Sequence, residues 1–292
     1  MTPDPAIGRR AALTFGVASV LAACGSTATV ATPSPTLTTP SPAMTTPAST
    51  GSALPPFVAW LPHAGEIQVE AKVTAVRRIE RLGNVPGHRL HVIDAQYGGL
   101  LSDSASVLVV CESWRLEARR SVPDGHTFDV RLSRAGAGWQ VTSIHPSDAG
   151  VASLSLSAAA GRVLANSRIV LPPAARADVA SGQVHDSVLE ALLTLSRRWS
   201  IEVSVIRSGH PLDVFGTSRL SDHPRGRAFD TWAIDQIPVA APGTPNAVVP
   251  AYMEALAALG SYNVGGPVLL GAAPQFFTDQ THHDHVHAGF RS

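Results

Sequence analysis

The sequence predicts an α+β protein in two parts: a small all-β barrel or sandwich over residues 57–150, then a mixed helix-and-strand domain over 151–292. Three observations predict it. Apolar and polar residues alternate with period two through the first part. In the second part an apolar stripe at helical spacing is followed at once by another alternating run. A Ser/Thr/Pro-rich segment sets both parts apart from the N-terminus.

The first residues read as an address label. Arg9 and Arg10 precede the short apolar run of "LTFGVASVLAAC", which ends in Leu21-Ala22-Ala23-Cys24. A membrane span needs about 20 apolar residues, and this run is shorter. Residues 1–23 are therefore expected to be a lipoprotein signal peptide, with Cys24 lipidated in a lipobox-like site and the mature protein anchored outside the cytoplasmic membrane. The paired arginines are compatible with twin-arginine export. Residues 24–56 carry almost no large apolar side chain and no charge, so they cannot offset their ordering entropy and read as a tether. Lys plus Arg and Asp plus Glu both number 22, a balance that gives no reason to expect a nucleic-acid partner. With Cys24 lipidated, Cys111 has no disulfide partner and reads as a buried thiol.

Along the first part, "EIQVEAKVTA" alternates Ile67, Val69, Ala71, Val73 and Ala75 with polar residues and predicts a half-buried strand. "RLHVI", "SVLVV", "FDVRL" and "GWQVTSI" predict further strands, with "NVPG" and "VPDG" as turns between them. His88, His91 and His126 are scattered, and no catalytic constellation is visible here. Further on, Val188, Leu192, Leu195 and Trp199 give one helical face, with Ser187 and Glu190 spaced as a capping box. "IEVSVI" predicts a strand, and "VPAYMEALAALG" a helix with Pro250 in its first turn and Gly260 at its end.

The chemistry lies in two segments. "SDHPRGRAFD" holds His223 and Asp230, and "HHDHVHAGF" holds His282, His283, Asp284, His285 and His287. Two histidines and a carboxylate with an open fourth position are a ligand set for catalytic zinc. A terminal strand would turn His285 and His287 to the same face.

These segments resemble the zinc peptidases that include D-alanyl-D-alanine carboxypeptidases and dipeptidases, L-alanyl-D-glutamate endopeptidases and murein endopeptidases. The signalling domain of hedgehog proteins is similar to them in fold. "SDHPRGRAFD" matches the pattern S-x-H-x-x-G-x-A-x-D, and "DHVHAGF" resembles the second motif, over roughly residues 160–292. The resemblance implies that His223, Asp230 and His287 bind Zn2+ and that Ser221 lies beside the substrate. Two family patterns fit: an acid three residues before the last ligand implies Asp284 as general base, and H-x-x-H-x-H implies His282 and His285; the first is favoured, with His285 holding the oxyanion and His282 in reserve. Gly226 and Ala228 suit a tight connection between ligands. "SGHP" departs from the family's S-G-aromatic-Arg element, so Arg207 or Arg219 is expected to supply the charge for a substrate carboxylate. The implied activity is hydrolysis of peptidoglycan stem peptides or cross-links by a lipid-anchored enzyme. The alternative is a non-catalytic zinc-containing module that binds cell wall or protein.

Overall fold

The computed structural model describes residues 53–241 and 248–291. The signal peptide, Cys24 and most of the tether lie outside the described residues. Among the described residues the architecture is α+β, with five helices and two sheets, neither closed into a barrel.

The first part is a helix on a sheet. Helix α1 (Val69–Gly83) is followed by strands β1 (His88–Leu100), β2 (Ser104–Glu117), β3 (Arg120–Asp124), β4 (Thr127–Ala135) and β5 (Gly138–Pro146). They form one antiparallel sheet in the order β1-β2-β4-β5, with β3 paired to β2. The expected barrel or sandwich is thus a single open sheet covered by α1. The expected strand at "EIQVEAKVTA" is the start of that helix. Its apparent alternation leaned on alanines, which are strong helix formers. The residues buried are Ala71, Lys72, Ala75, Val76, Ile79 and Gly83, a helical spacing that emerges only in a longer window. "VPDG" is likewise no simple turn, since Val122, Pro123 and Asp124 pair with β2.

Both faces of this sheet are covered. Val107, Val109 and Cys111 of β2 point into the core beneath α1, with Leu90, Tyr97, Val130 and Trp139. Leu108 and Val110 point the other way and meet Val205 of the second part. Two buried faces explain why "SVLVV" is continuously apolar rather than alternating.

The second part adds α2 (Ala158–Ala165), β6 (Ile169–Val170), α3 (Pro173–Ala180), α4 (Asp186–Leu195), β7 (Ile201–Val205), β8 (Ala228–Ile234), β9 (Ile237–Pro238), α5 (Val248–Ala258), β10 (Asn263–Gly265), β11 (Phe276–Phe277) and β12 (Val286–Gly289). A short 3-10 turn, Thr281–His283, precedes β12. The strands order as β11-β10-β12-β8-β7-β6, with β9 on β8. Val188, Leu192, Leu195 and Trp199 pack as expected into the core with Tyr252, Met253 and Leu256 of α5. The capping box does not form. His185 occupies the N-cap, so Ser187 falls inside the first turn, and Glu190 pairs with Arg162. Gly260 ends α5 with φ of 92°, a conformation glycine adopts at little cost. Among the described residues no helix is long and apolar enough to cross a membrane.

Both parts fall within one compact unit. Leu108 is fully buried where they meet. Leu108→Ala is expected to cost about 2–5 kcal/mol. Urea denaturation should show it lowering one transition shared by both parts; two separate transitions would refute the shared core.

Candidate metal centre

Adjacent strands bring the expected ligands together. In the antiparallel pairing of β8 with β12, Asp230 stands directly opposite His287. His223 arrives from the loop before β8. There the Gly226 N–H donates to the His223 carbonyl at 2.8 Å and the Arg227 N–H to the Asp222 carbonyl at 3.0 Å, closing a tight turn. Gly226 has φ of 69°, and a Cβ there would lie 2.0 Å from the Gln183 carbonyl oxygen. The loop therefore requires glycine on two grounds. His223 Nδ1 donates to the Ile206 carbonyl at 2.8 Å, which leaves Nε2 with a free lone pair.

His223 Nε2, His287 Nδ1 and Asp230 Oδ1 form a nearly equilateral triangle. Its edges are 3.1 Å between the histidines, 3.0 Å from His287 to Asp230 and 3.2 Å from His223 to Asp230. Donors about 2.0–2.1 Å from a tetrahedral zinc stand about 3.3 Å apart, so these three residues fit such an ion. Their protonation suits it too. Burial lowers the His287 pKa to about 4, against the opposing hydrogen bond with Asp230. Burial alone would raise Asp230, but the histidines around it, His223 and His285 first, outweigh it and hold the carboxyl well below its usual range. A neutral imidazole and an ionised carboxylate are the forms that bind cations.

His210 joins His223 and Asp230 in a wider group whose donor atoms lie within 4.8 Å of one another. Its ring stacks on His223 with centroids 4.1 Å apart and planes 14° apart. Lone pairs lie in the ring plane, so two near-parallel stacked rings do not aim at one point. His287 makes the better third donor. A second group, Glu66, His283 and Asp284, meets the same spacing. There the Lys72 ammonium already sits between the carboxylates, against Glu66 and 2.6 Å from Asp284 Oδ2. Burial would lower the Lys72 pKa, but Asp284, Glu66 and Asp94 outweigh it and raise it, so the side chain is a cation.

Asp284 is the best-anchored carboxylate of the site. Its Oδ2 accepts from Lys72 and, at 3.1 Å, from the Tyr97 backbone N–H. Its Oδ1 is 2.6 Å from His285 Nδ1, which donates to it. His285 Nε2 is then free and faces Asp230 Oδ2 at 3.9 Å. As β12 begins only at Val286, Asp284 escapes the alternation that would have turned it away. His282 lies at the rim, its Nδ1 2.7 Å from Asp279 Oδ1 and its ring centroid 5.1 Å from that of His285.

The remaining expected residues are placed less centrally. Ser221 Oγ accepts from the His223 backbone N–H at 3.3 Å and lies 3.5 Å from His210 Nδ1. Arg207 turns elsewhere: its Nη2 donates to the Ala149 carbonyl at 2.8 Å and its Nε is 3.9 Å from Asp178. Arg219 is exposed on a loop.

Sequence reasoning missed four contributors. Gln96 of β1 donates to Asp230 Oδ2 at 2.7 Å, and Ser204 of β7 donates to the Gln96 carbonyl. Glu66 and Lys72 complete the surroundings of Asp284 and His283. The first part, which showed no constellation in sequence, thus touches both carboxylates. One signal existed: positions 72, 76, 79 and 83 share the buried face of α1, so Lys72 is a lysine on an apolar stripe.

No protein-family model matches this chain, and neither does any curated protein or solved structure.

Gly226→Ala should abolish the turn, and with it metal retention, as read by metal analysis of whatever folded protein is recovered; full retention would contradict the clash. A second expectation concerns Asp94. Burial raises its pKa to about 7, opposed by Lys72 and reinforced by Asp284 and Glu66. Between its ordinary value of 3.8 and about 7 the folded state holds a proton that the unfolded chain has released. Stability from this group therefore falls as pH rises through that window, by a few kcal/mol at most (~1.4 kcal/mol per pKa unit). Asp94→Asn should raise Tm at pH 8 more than at pH 5; an equal change at both would rule out the linkage.

Proposed function

We propose that this chain is a zinc-dependent peptidase of the D-alanyl-D-alanine carboxypeptidase and L-alanyl-D-glutamate endopeptidase type, with the fold it shares with hedgehog domains. We place it outside the cytoplasmic membrane, lipid-anchored at Cys24, with peptidoglycan stem peptides or cross-links as substrate. One observation carries this reading: His223 Nε2, Asp230 Oδ1 and His287 Nδ1, from two distant motifs, converge with edges of 3.0 to 3.2 Å.

In this reading those three residues hold the ion. When bound, zinc acidifies water to a pKa of about 7 and polarises the scissile carbonyl. The chain's own residues do the rest. Asp284 was the expected base, but both its oxygens are engaged by Lys72, Tyr97 and His285. We therefore assign the base to His285, whose Nε2 lone pair is exposed by the Asp284 hydrogen bond at Nδ1. It takes the proton from the attacking water and returns it to the leaving amine. Asp284 sets its tautomer and balances the imidazolium. Ser221 stands beside His210, its Oγ 3.5 Å from Nδ1.

The engagement of Arg207 by Asp178 favours a second reading, a non-catalytic module that binds wall or protein through a zinc-ordered surface. The two separate in one experiment. The peptidase should carry about one zinc per chain, lost in His223→Ala, and release peptides from purified peptidoglycan. His285→Ala should keep its zinc while cleavage falls about 10²–10⁴-fold. Zinc-loaded wild type that releases nothing would leave the binding module standing, and a metal-free wild type would sink both.

A further inference from the structure

The two carboxylate–histidine groups of this site, His223 and His287 with Asp230 in one and His283 with Glu66 and Asp284 in the other, differ in what the first part of the chain places against their carboxylates. Asp230 meets a neutral amide, that of Gln96, at 2.7 Å on Oδ2. Glu66 and Asp284 meet the Lys72 ammonium. We propose that the first part selects the cation site, with Gln96 as a positioning residue that presents Asp230 to a divalent cation and Lys72 as the built-in cation that closes the Glu66–His283–Asp284 group to one.

The inference rests on the zinc reading above and deepens it. Gln96 removes none of the negative charge on Asp230, whereas a lysine in its place would neutralise it. Its amide occupies Oδ2 and leaves Oδ1 to face His223 Nε2 and His287 Nδ1, so the carboxylate can bind through one oxygen only. The amide cannot flip, because the ionised Asp230 Oδ2 only accepts and so must face the NH2 end, which leaves the amide oxygen to accept from the Ser204 hydroxyl. All three groups are buried. In the second group a metal ion and the Lys72 ammonium would compete for the same carboxylate oxygens. Outer partners of this kind are worth about 10–100-fold in metal affinity.

The test is titration of the metal-free, full-length protein with Zn2+ against a competing chromophoric chelator, with the Co2+ visible spectrum as a reading of ligand geometry. Wild type should bind one tight equivalent. Gln96→Leu should bind it about 10–100-fold more weakly, with an altered Co2+ spectrum and a metal-free Tm near that of wild type. Ser204→Ala, which releases the amide without cutting into either core, should shift affinity the same way by less. Gln96→Lys should abolish tight binding. Lys72→Gln should gain a second equivalent. Unchanged affinity and spectrum in both Gln96→Leu and Ser204→Ala would overturn the role of Gln96, and a single equivalent in Lys72→Gln would overturn that of Lys72. His223→Ala separates this failure from that of the zinc reading. If it binds as tightly as wild type, the ligand set itself is wrong; if it loses the ion while the Gln96 variants keep it, only the present inference fails.

Discussion

The constraint on which this molecule turns is the burial of Asp230 as an ionised group. A carboxylate taken out of water is tolerated only when its charge and its lone pairs are matched. Here two histidine rings converge on Oδ1, an amide holds Oδ2, and the β8–β12 register brings one of the rings to its side. The sharp turn at Gly226, the start of β12 after Asp284 and the approach of β1 to the second sheet all serve that arrangement. The same rule governs Asp284, with a different solution. An ammonium, a backbone N–H and an imidazole N–H satisfy it, so its charge is already answered.

Much of this was legible in the residues. The motif around His223 and Asp230 and the terminal His287 singled out three residues that the fold brings together, because metal chemistry restricts residue types and short spacings reveal turns. Helices α4 and α5 and strand β7 were legible for a similar local reason: their apolar periodicity runs uninterrupted for two turns or more, or through a full strand. Legibility ended where a short window met an ambiguous residue. Five alternating positions from Ile67 to Ala75 fitted a strand, although Val69, Ala71 and Ala75 belong to α1 and Ala71 and Ala75 share its buried face. That misreading hid Lys72, since a strand would have sent it to solvent.

Gln96 was illegible for a deeper reason. Nothing in "HVIDAQYGG" marks a glutamine as the partner of a carboxylate 134 positions away. Its neighbours Ala95 and Tyr97 face the core beneath α1, and the register shifts within β1 decide which side chains turn toward the second sheet. Such pairing is a property of tertiary packing, and only the assembled sheets reveal it. The covered faces of the first sheet carry a related lesson. A region that reads as a free-standing β module contributes to the site and shares an apolar contact with the second part, through Leu108, Val110 and Val205.

The separations involved also bear on how the molecule comes into being. The bonds that complete the centre join residue 67 to 283, 97 to 284 and 96 to 230. Each closes a long loop, whose entropic cost is met only when the intervening chain is already in place. Contacts of such range slow folding. The centre cannot assemble until the segment from Thr281 to Gly289 has met both sheets. The assembled centre is therefore a record that the fold, from α1 to β12, has closed.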